Sequence, residues 1–403
     1  MTPRRIVVVG ASLAGTRTAR ALREQGFDGE LTLVGDEPHP PYDRPPLSKQ
    51  VLAGTWEADD IALPSTGDLD VEERTGTATA LDLADRTLHL ADGGRLPWDG
   101  LVVATGAAAR PWPGPVPGGV HTLRTLDDAR ALRRELTSPG ARLLVVGAGF
   151  LGSEVAATAA EAGVAVTLVE AEEVPMARAV GTAVGGFVAR LHREAGIDLR
   201  TGTTVRSFTG ADRVTGALLG DGTHVPATAV LLALGAVPNT AWLRGSGVLL
   251  DGAVVCDAHG RVLTADGTAL RNVVAVGDVS RRPCPPAGGT LHLGHWSAAV
   301  EHAAAAARVL LHSGGDGGLP ELPAAVPSFW SDQHGVRIRS LGLPHLADEA
   351  RTVEYDVPGR HLEVSYHRGG ELVGALTVNR ARRLAAYRPL LLGARRGAPV
   401  PAA

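Results

Sequence analysis

Residues 142–170 read RLLVVGAGFLGSEVAATAAEAGVAVTLVE. An apolar run stops at Gly147. A stretch with helical spacing follows over 150–162, Gly163 sits where a helix C-cap belongs, and a second apolar run, 164–170, ends on Glu170. This is the order strand, helix, parallel strand, with a full G-x-G-x-x-G (Gly147, Gly149, Gly152) at the first turn. About 137 residues earlier the pattern has a twin. A strand over 4–10 ends on Gly10, a helix spans 13–25 with Gly26 at its end, and a strand covers 30–35. Its loop, Gly10-Ala-Ser-Leu-Ala-Gly15, carries Ser12 at the middle position. The supersecondary unit therefore occurs twice in one chain.

The chemistry of the two loops is common. The first glycine turns the chain tightly, a small middle residue lets backbone N–H groups approach a pyrophosphate, and the last glycine packs helix on strand. The helix N-terminus then faces the anion with its partial positive charge. Each unit also ends its second strand on acids, Asp36 and Glu37 in the first and Glu170 in the second. A carboxylate there accepts ribose hydroxyls. Two dinucleotide sites in one chain imply a flavin dinucleotide, FAD, and a nicotinamide dinucleotide. Glu170, Glu172 and Glu173 lie together, with no arginine before Arg178. Three acids repel a 2′-phosphate, which favours NADH over NADPH.

Further strands end in glycine loops at 101–106, 230–235 and 273–278. The Pro/Gly-rich stretch 107–120 and Val237-Pro238-Asn239 read as crossings between domains. The expected class is α/β: two Rossmann-like domains of glutathione-reductase-like arrangement plus a small C-terminal α+β domain. The boundaries are 1–108 with 239–320 for the FAD domain, 109–238 for the NAD domain and 321–403 for the C-terminal domain. An Ala-rich helix covers 297–311 and a linker 313–323. Alternating segments follow at 336–341, 351–357, 361–367 and 371–378, the last two joined by Arg368-Gly369-Gly370, a hairpin signal, before a helix near 380–392.

Composition narrows the function. The 403 residues are 44% hydrophobic and 20% charged, with net charge -4, so nothing points to nucleic acid or a membrane surface. Two cysteines, Cys256 and Cys284, give neither a disulfide framework nor metal spacing, which fits a reducing cytoplasm. No metal site is expected: histidines such as His121, His192, His224 and His334 are scattered singly, in surface or packing roles, and only His295 beside Trp296 stands out. Of 39 basic residues one is lysine, Lys49. An ammonium that survives such pressure toward arginine is a candidate for a role arginine cannot fill, with chance survival the alternative.

Residues 41–49 read PYDRPPLSK. Together with the two loops, Val276-Gly-Asp-Val279, His295-Trp296 and Phe329-Trp-Ser-Asp-Gln333, this resembles the ferredoxin reductases of bacterial oxygenase systems, the family of putidaredoxin reductase and the reductase components of aromatic-ring dioxygenases. The resemblance runs from residue 5 to about 393. It implies FAD contacts at Gly10, Ser12, Leu13, Ala14, Gly15, Glu37, Arg44, Lys49, Ala80, Thr105, Gly106, Asp278, Trp296 and Trp330. It implies NAD contacts at Gly147, Gly149, Phe150, Leu151, Gly152, Glu154, Glu170 and Gly235. One departure is Gly294-His-Trp-Ser-Ala298, where relatives carry Glu before His-Trp; it puts side-chain contacts at that end of the flavin in doubt.

The mechanistic expectation is a Lys49–Glu154 ion pair at the flavin. Alternatives stand beside it: Glu154 as a solvated helix residue, and Trp330 as ordinary core. The stretch that holds PYDRPPLSK has no cysteine, so disulfide reduction lacks its nucleophile. Residues 321–403 hold 11 Arg against 8 acids, leaving -7 for the remainder. That asymmetry suits docking of an acidic ferredoxin or is a solvated basic surface. The leading reading is an NADH-dependent flavoprotein that passes single electrons to a ferredoxin feeding an oxygenase, cytoplasmic and monomeric or weakly dimeric. A flavoenzyme reducing a small molecule or oxygen directly, and a redox-sensing flavoprotein, remain as alternatives.

Overall fold

Continuous apolar runs such as Ile6–Val9 need cover on both faces of a sheet, and parallel strands supply it. The computed structural model describes residues 3–284, 287–312, 319–322 and 326–394. The linker expected at 313–323 lies largely outside them. The chain divides into two compact units. The first comprises 1–43, 62–108 and 237–325; the second comprises 44–61, 109–236 and 326–403. Residues 44–61 thus belong with the second unit, although the stretches before and after them build the first.

In the first unit, six strands run in the order Arg261–Leu263, Ala269–Ala275, Gly100–Val103, Arg5–Val9, Glu30–Gly35, Glu72–Thr75. The inner pairs are parallel, with Val7 opposite Thr32 and Leu101. Side chains alternate between faces. Ile6, Val8, Leu31, Leu33 and Val102 pack under Ala19 and Leu22 of the helix Leu13–Glu24 and under Ala306 and Val309 of the helix Trp296–His312. Val7, Val9, Leu101 and Val103 face the other way, against Leu81, Leu88 and Trp98.

The second unit repeats the parallel scheme with five strands, in the order Asp198–Arg200, Ala165–Val169, Arg142–Val146, Ala229–Leu232, Val120–His121. Beside a small three-stranded sheet (Val205–Thr209, Gly216–Leu219, His224–Pro226), the unit holds a five-stranded antiparallel sheet in the order Ser328–Gln333, Val336–Gly342, Glu371–Val378, His361–Arg368, Glu349–Asp356. Gly369 and Gly370 turn the last hairpin at φ +57° and +84°, the left-handed pair such a tight turn needs. One face of this sheet (Ile338, Val364, Tyr366, Leu376) packs on Val184, Phe187 and Leu191 of the helix Ala177–Glu194. The opposite face carries Leu341 and Ala375 under Leu384 and Leu391 of the C-terminal helix Ala381–Ala394. The C-terminal segment therefore shares a core with a helix of the nucleotide fold.

Two of the histidines scattered singly along the sequence take the expected packing role, and they take it as a pair. His192 and His334 meet in that core, 2.7 Å from Nδ1 to Nε2. Burial holds both pKa values down, to about 3 and about 4, so the pair stays neutral and one ring donates to the other. Among the described residues no helix is long and apolar enough to cross a membrane. No group of three or more His, Cys, Asp or Glu among them is placed to hold a metal ion.

The glycines of the second loop divide by steric need. A Cβ on Gly152 would stand 1.9 Å from the Gly147 carbonyl oxygen, whereas a Cβ on Gly149 would meet nothing within 4 Å. Gly152→Ala is therefore expected to destabilise the protein by about 1–3 kcal/mol through overpacking. Gly149→Ser, at a helix N-cap where serine is favoured, is expected to be neutral or slightly stabilising. Urea unfolding of the two variants beside the parent checks this ordering.

Candidate functional site

The first loop is built by backbone geometry. Gly10, at φ +116°, would place a Cβ 2.2 Å from Ala104 O, and Gly15 would place one 1.7 Å from Gly10 O. Both must be glycine, while Ser12 is the helix N-cap at φ -99°, an ordinary conformation that explains why serine is accepted there. The Ser12 side chain does not cap the helix. The N–H groups around Leu13, Ala14 and Gly15 at the first turn are thus the orphan donors of a helix start, the chemistry an anion requires. Gly277, at φ +68°, comes so close that its Cβ would lie 3.1 Å from Ala14, which sets Asp278 beside the loop. Glu37, at the end of the second strand, accepts from the Tyr42 hydroxyl. Trp296 Nε1 donates to Asp43 Oδ1 at 2.8 Å. Thr105 Oγ1 donates to Asn239 O and Asn239 Nδ2 to Thr105 O, each at 2.8 Å, while Asn239 N donates to Gly106 O. Ala80 stands exposed on the strand Ala78–Asp82, outside the residues these contacts gather.

The second loop follows the same plan. Gly147, at φ +101°, would set a Cβ 2.5 Å from Ala233 O. Glu170 accepts from Ala148 N at 2.7 Å and from Glu172 N at 3.0 Å, so its carboxylate is fixed at the mouth of the loop. Glu172 is not a free acid: Arg178 Nε donates to it at 2.6 Å. Gly235, at φ +94°, is open around its Cβ position, and its carbonyl accepts from Arg110 N at 2.9 Å. The Phe150 ring packs on Phe329, centroids 4.8 Å apart. Both loops fit a dinucleotide pyrophosphate. Each has two glycines forced by close backbone approach and a middle position, Ser12 or Gly149, where no protein contact requires glycine.

Glu154 lies in the helix Phe150–Glu161 that opens on the second loop. Its residue is 7% exposed, which rules out the solvated reading. Oε2 accepts from Lys49 Nζ at 2.6 Å and from Ser48 Oγ at 2.6 Å, and Oε1 accepts from Ser331 Oγ at 2.7 Å. Lys49 Nζ also donates to Ser48 Oγ at 3.1 Å. Three segments distant in sequence meet on this carboxylate: PYDRPPLSK, the loop helix and FWSDQ. The first is held in place independently. Pro45 and Pro46 start a 3₁₀ turn ending at Ser48, Thr158 Oγ1 donates to Ser48 O at 2.9 Å, and Arg44 Nη1 donates to Arg124 O at 2.7 Å. Buried like this, an ion pair needs each lone pair matched, and the two serines supply the remaining partners.

The sequence reading brought Lys49 to Glu154 and missed Ser48 and Ser331, although both lie inside quoted motifs. Serine carries no periodicity signal, and only the fold shows where a hydroxyl points. Trp330, next to Ser331, is 37% exposed, which excludes the core-packing alternative. Within the basic stretch 321–403, Arg380 and Arg383 both pair with Glu354. Cys256 and Cys284 are free thiols, and burial pushes Cys256 up to about 11, so it is no nucleophile.

Comparison with known proteins agrees with this geometry. The model of the pyridine nucleotide-disulphide oxidoreductase family matches residues 4–303, and the reductase C-terminal model matches 328–403. The chain is 35% identical to rhodocoxin reductase of Rhodococcus erythropolis over 393 residues, 96% of this chain and 89% of that one. It is 37% identical over 342 residues to the ferredoxin reductase component of chlorobenzene dioxygenase from a Cupriavidus strain, covering 84% and 80%. Among solved structures, the covalent putidaredoxin reductase–putidaredoxin complex superposes with a TM-score of 0.88 at 32% identity, covering 97% of this chain and 93% of that one. Loops, C-terminal sheet and sequence agree, and the chain belongs to the pyridine nucleotide-disulphide oxidoreductase family, among the ferredoxin reductases of oxygenase systems.

Proposed function

We propose that this protein is an FAD-dependent NADH:ferredoxin reductase that supplies an oxygenase with single electrons. The observation that carries the reading is Glu154. One buried carboxylate ties together the three motifs by which the sequence resembles such reductases. What bound FAD supplies is conversion of a two-electron hydride donor into one-electron steps. The chain's own residues bind, orient and charge the site. The loop Gly10–Gly15, Glu37, Thr105, Gly106 and Asp278 are assigned to FAD, with Arg44, Trp296 and Trp330 as further contacts; Ala80 has the weakest support. The loop Gly147–Gly152, Glu170 and Gly235 are assigned to NADH. Lys49 gives the hydride step a fixed positive charge, and Glu154 holds that charge in position.

The corresponding domain assignment is FAD on 1–108 with 239–320, NADH on 109–238, and partner docking on 321–403. The net positive charge of the C-terminal stretch supports an acidic ferredoxin as the partner. The two free cysteines support work in a reducing cytoplasm.

The function is tested by NADH-driven cytochrome c reduction with and without bacterial ferredoxins. A large, saturable stimulation by a ferredoxin is expected. Rapid NADH oxidation with ferricyanide that no ferredoxin changes would shift the reading to a direct small-molecule reductase. Nucleotide choice is tested at Glu170, whose carboxylate is expected to accept ribose hydroxyls. Glu170→Ala should lower the NADH over NADPH preference in kcat/KM by about tenfold, the worth of one strong polar contact.

A further inference from the structure

The helix Ala177–Glu194 is broken near its start. Gly181 has φ +77° and ψ 178°, leaving a one-turn arm, Met176–Val180, ahead of the kink. Met176 itself is left-handed, at φ +57°, which is unfavourable for an unbranched side chain and needs surroundings that enforce it. Two hydrogen bonds hold the arm. At its far end Tyr366 Oη, on the C-terminal sheet, donates to Val180 O at 2.7 Å. At its near end Met176 N donates to Ala148 O at 2.9 Å. Ala148 is the second residue of the loop Gly147–Gly152, and its own N–H donates to Glu170 at 2.7 Å. Ser153 Oγ adds a longer bond to the same carbonyl, at 3.3 Å.

Both ends of the arm are buried, Met176 at 4% and Val180 at 1% exposed, as is Tyr366 at 1%, while Arg178 between them faces solvent. Beyond the kink Gly185 lets the helix close on the loop before the arm, since a Cβ there would lie 2.5 Å from Pro175 O. A kink needs something to take the place of the interrupted helical ladder, and a side chain inserted at that point is a recognised cause. Tyr366 is that side chain. Burial raises its pKa, so the phenol keeps the proton it donates.

We infer that Tyr366 is a positioning residue for nicotinamide-nucleotide binding: through the Val180 carbonyl and the Met176 arm, the C-terminal sheet fixes Ala148 and with it the pyrophosphate loop. This rests on the reading of Gly147–Gly152 as the NADH loop. Tyr366 touches neither nucleotide nor reacting atoms. Its removal loosens the loop and leaves the charge at Lys49 and Glu154 as it is.

The test uses the FAD-loaded enzyme with ferricyanide as acceptor, so that ferredoxin plays no part. Tyr366→Phe is expected to raise KM for NADH by about 3- to 10-fold, the size of one lost hydrogen bond, with kcat nearly unchanged. KM for ferredoxin in the coupled assay should not move. Gly181→Ala strains the same kink from the helix side and should give the same split, which decides the matter if the tyrosine variant does not fold. Val364→Ala removes apolar volume from the same core without touching the hydrogen bond and should leave KM for NADH unchanged. Equal KM increases in the Val364 and Tyr366 variants would reduce Tyr366 to general packing and overturn the inference, as would an unchanged KM in folded Tyr366→Phe or Gly181→Ala. Gly149→Val separates the two levels. If it raises KM for NADH and Tyr366→Phe does not, the positioning role alone fails; if Gly149→Val has no effect, the loop reading fails.

Discussion

A carboxylate taken out of water must find donors for its lone pairs, and in this protein the second unit is arranged around one that does. Glu154 accepts from Lys49, Ser48 and Ser331. Removing one partner of such a buried pair generally costs about 3–5 kcal/mol, because the other charge is then stranded. The arrangement therefore constrains three separate segments at once. It explains why residues 44–61 fold with the second unit, and why a lone lysine persists in a chain that otherwise uses arginine. A guanidinium is larger and forked, and it cannot replace a compact ammonium that also reaches Ser48.

The C-terminal sheet does more than present a charged surface. Its Tyr366 and His334 meet the helix Ala177–Glu194 near both ends, while apolar side chains fill the seam between them. Polar contacts of this kind fix register where apolar packing alone would tolerate a shift. The nucleotide fold and the C-terminal sheet are mechanically continuous along this helix. A segment with its own sequence signature thus participates in the shape of a loop more than two hundred residues earlier.

Much of this was legible in the sequence for physical reasons. Glu30–Gly35 is an apolar run bounded by glycine, Glu371–Val378 follows the Gly369-Gly370 hairpin signal, and both nucleotide loops announce themselves through glycines that close backbone approach makes obligatory. The Lys49–Glu154 pair was legible because Lys49 is the one lysine of the sequence and the family resemblance implies that both residues lie at the nucleotide sites. Ser48, Ser331, Tyr366 and the His192–His334 pair were not. Each is an ordinary residue type, and its role comes from a neighbour more than a hundred residues away. The kink at Gly181 was hidden as well, since a glycine inside a helical pattern reads the same whether the helix bends or not.

The central claim is that Lys49 and Glu154 act as one unit in hydride acceptance. Its most direct test is a double-mutant cycle on the rate at which NADH reduces the bound flavin, followed in single turnover for Lys49→Met, Glu154→Gln and the pair. The account predicts that each single change slows reduction and that the double variant is no slower than the worse single one, a coupling of at least about 1.4 kcal/mol, or tenfold. Rates that multiply independently, or single variants that reduce as fast as the parent, would contradict it.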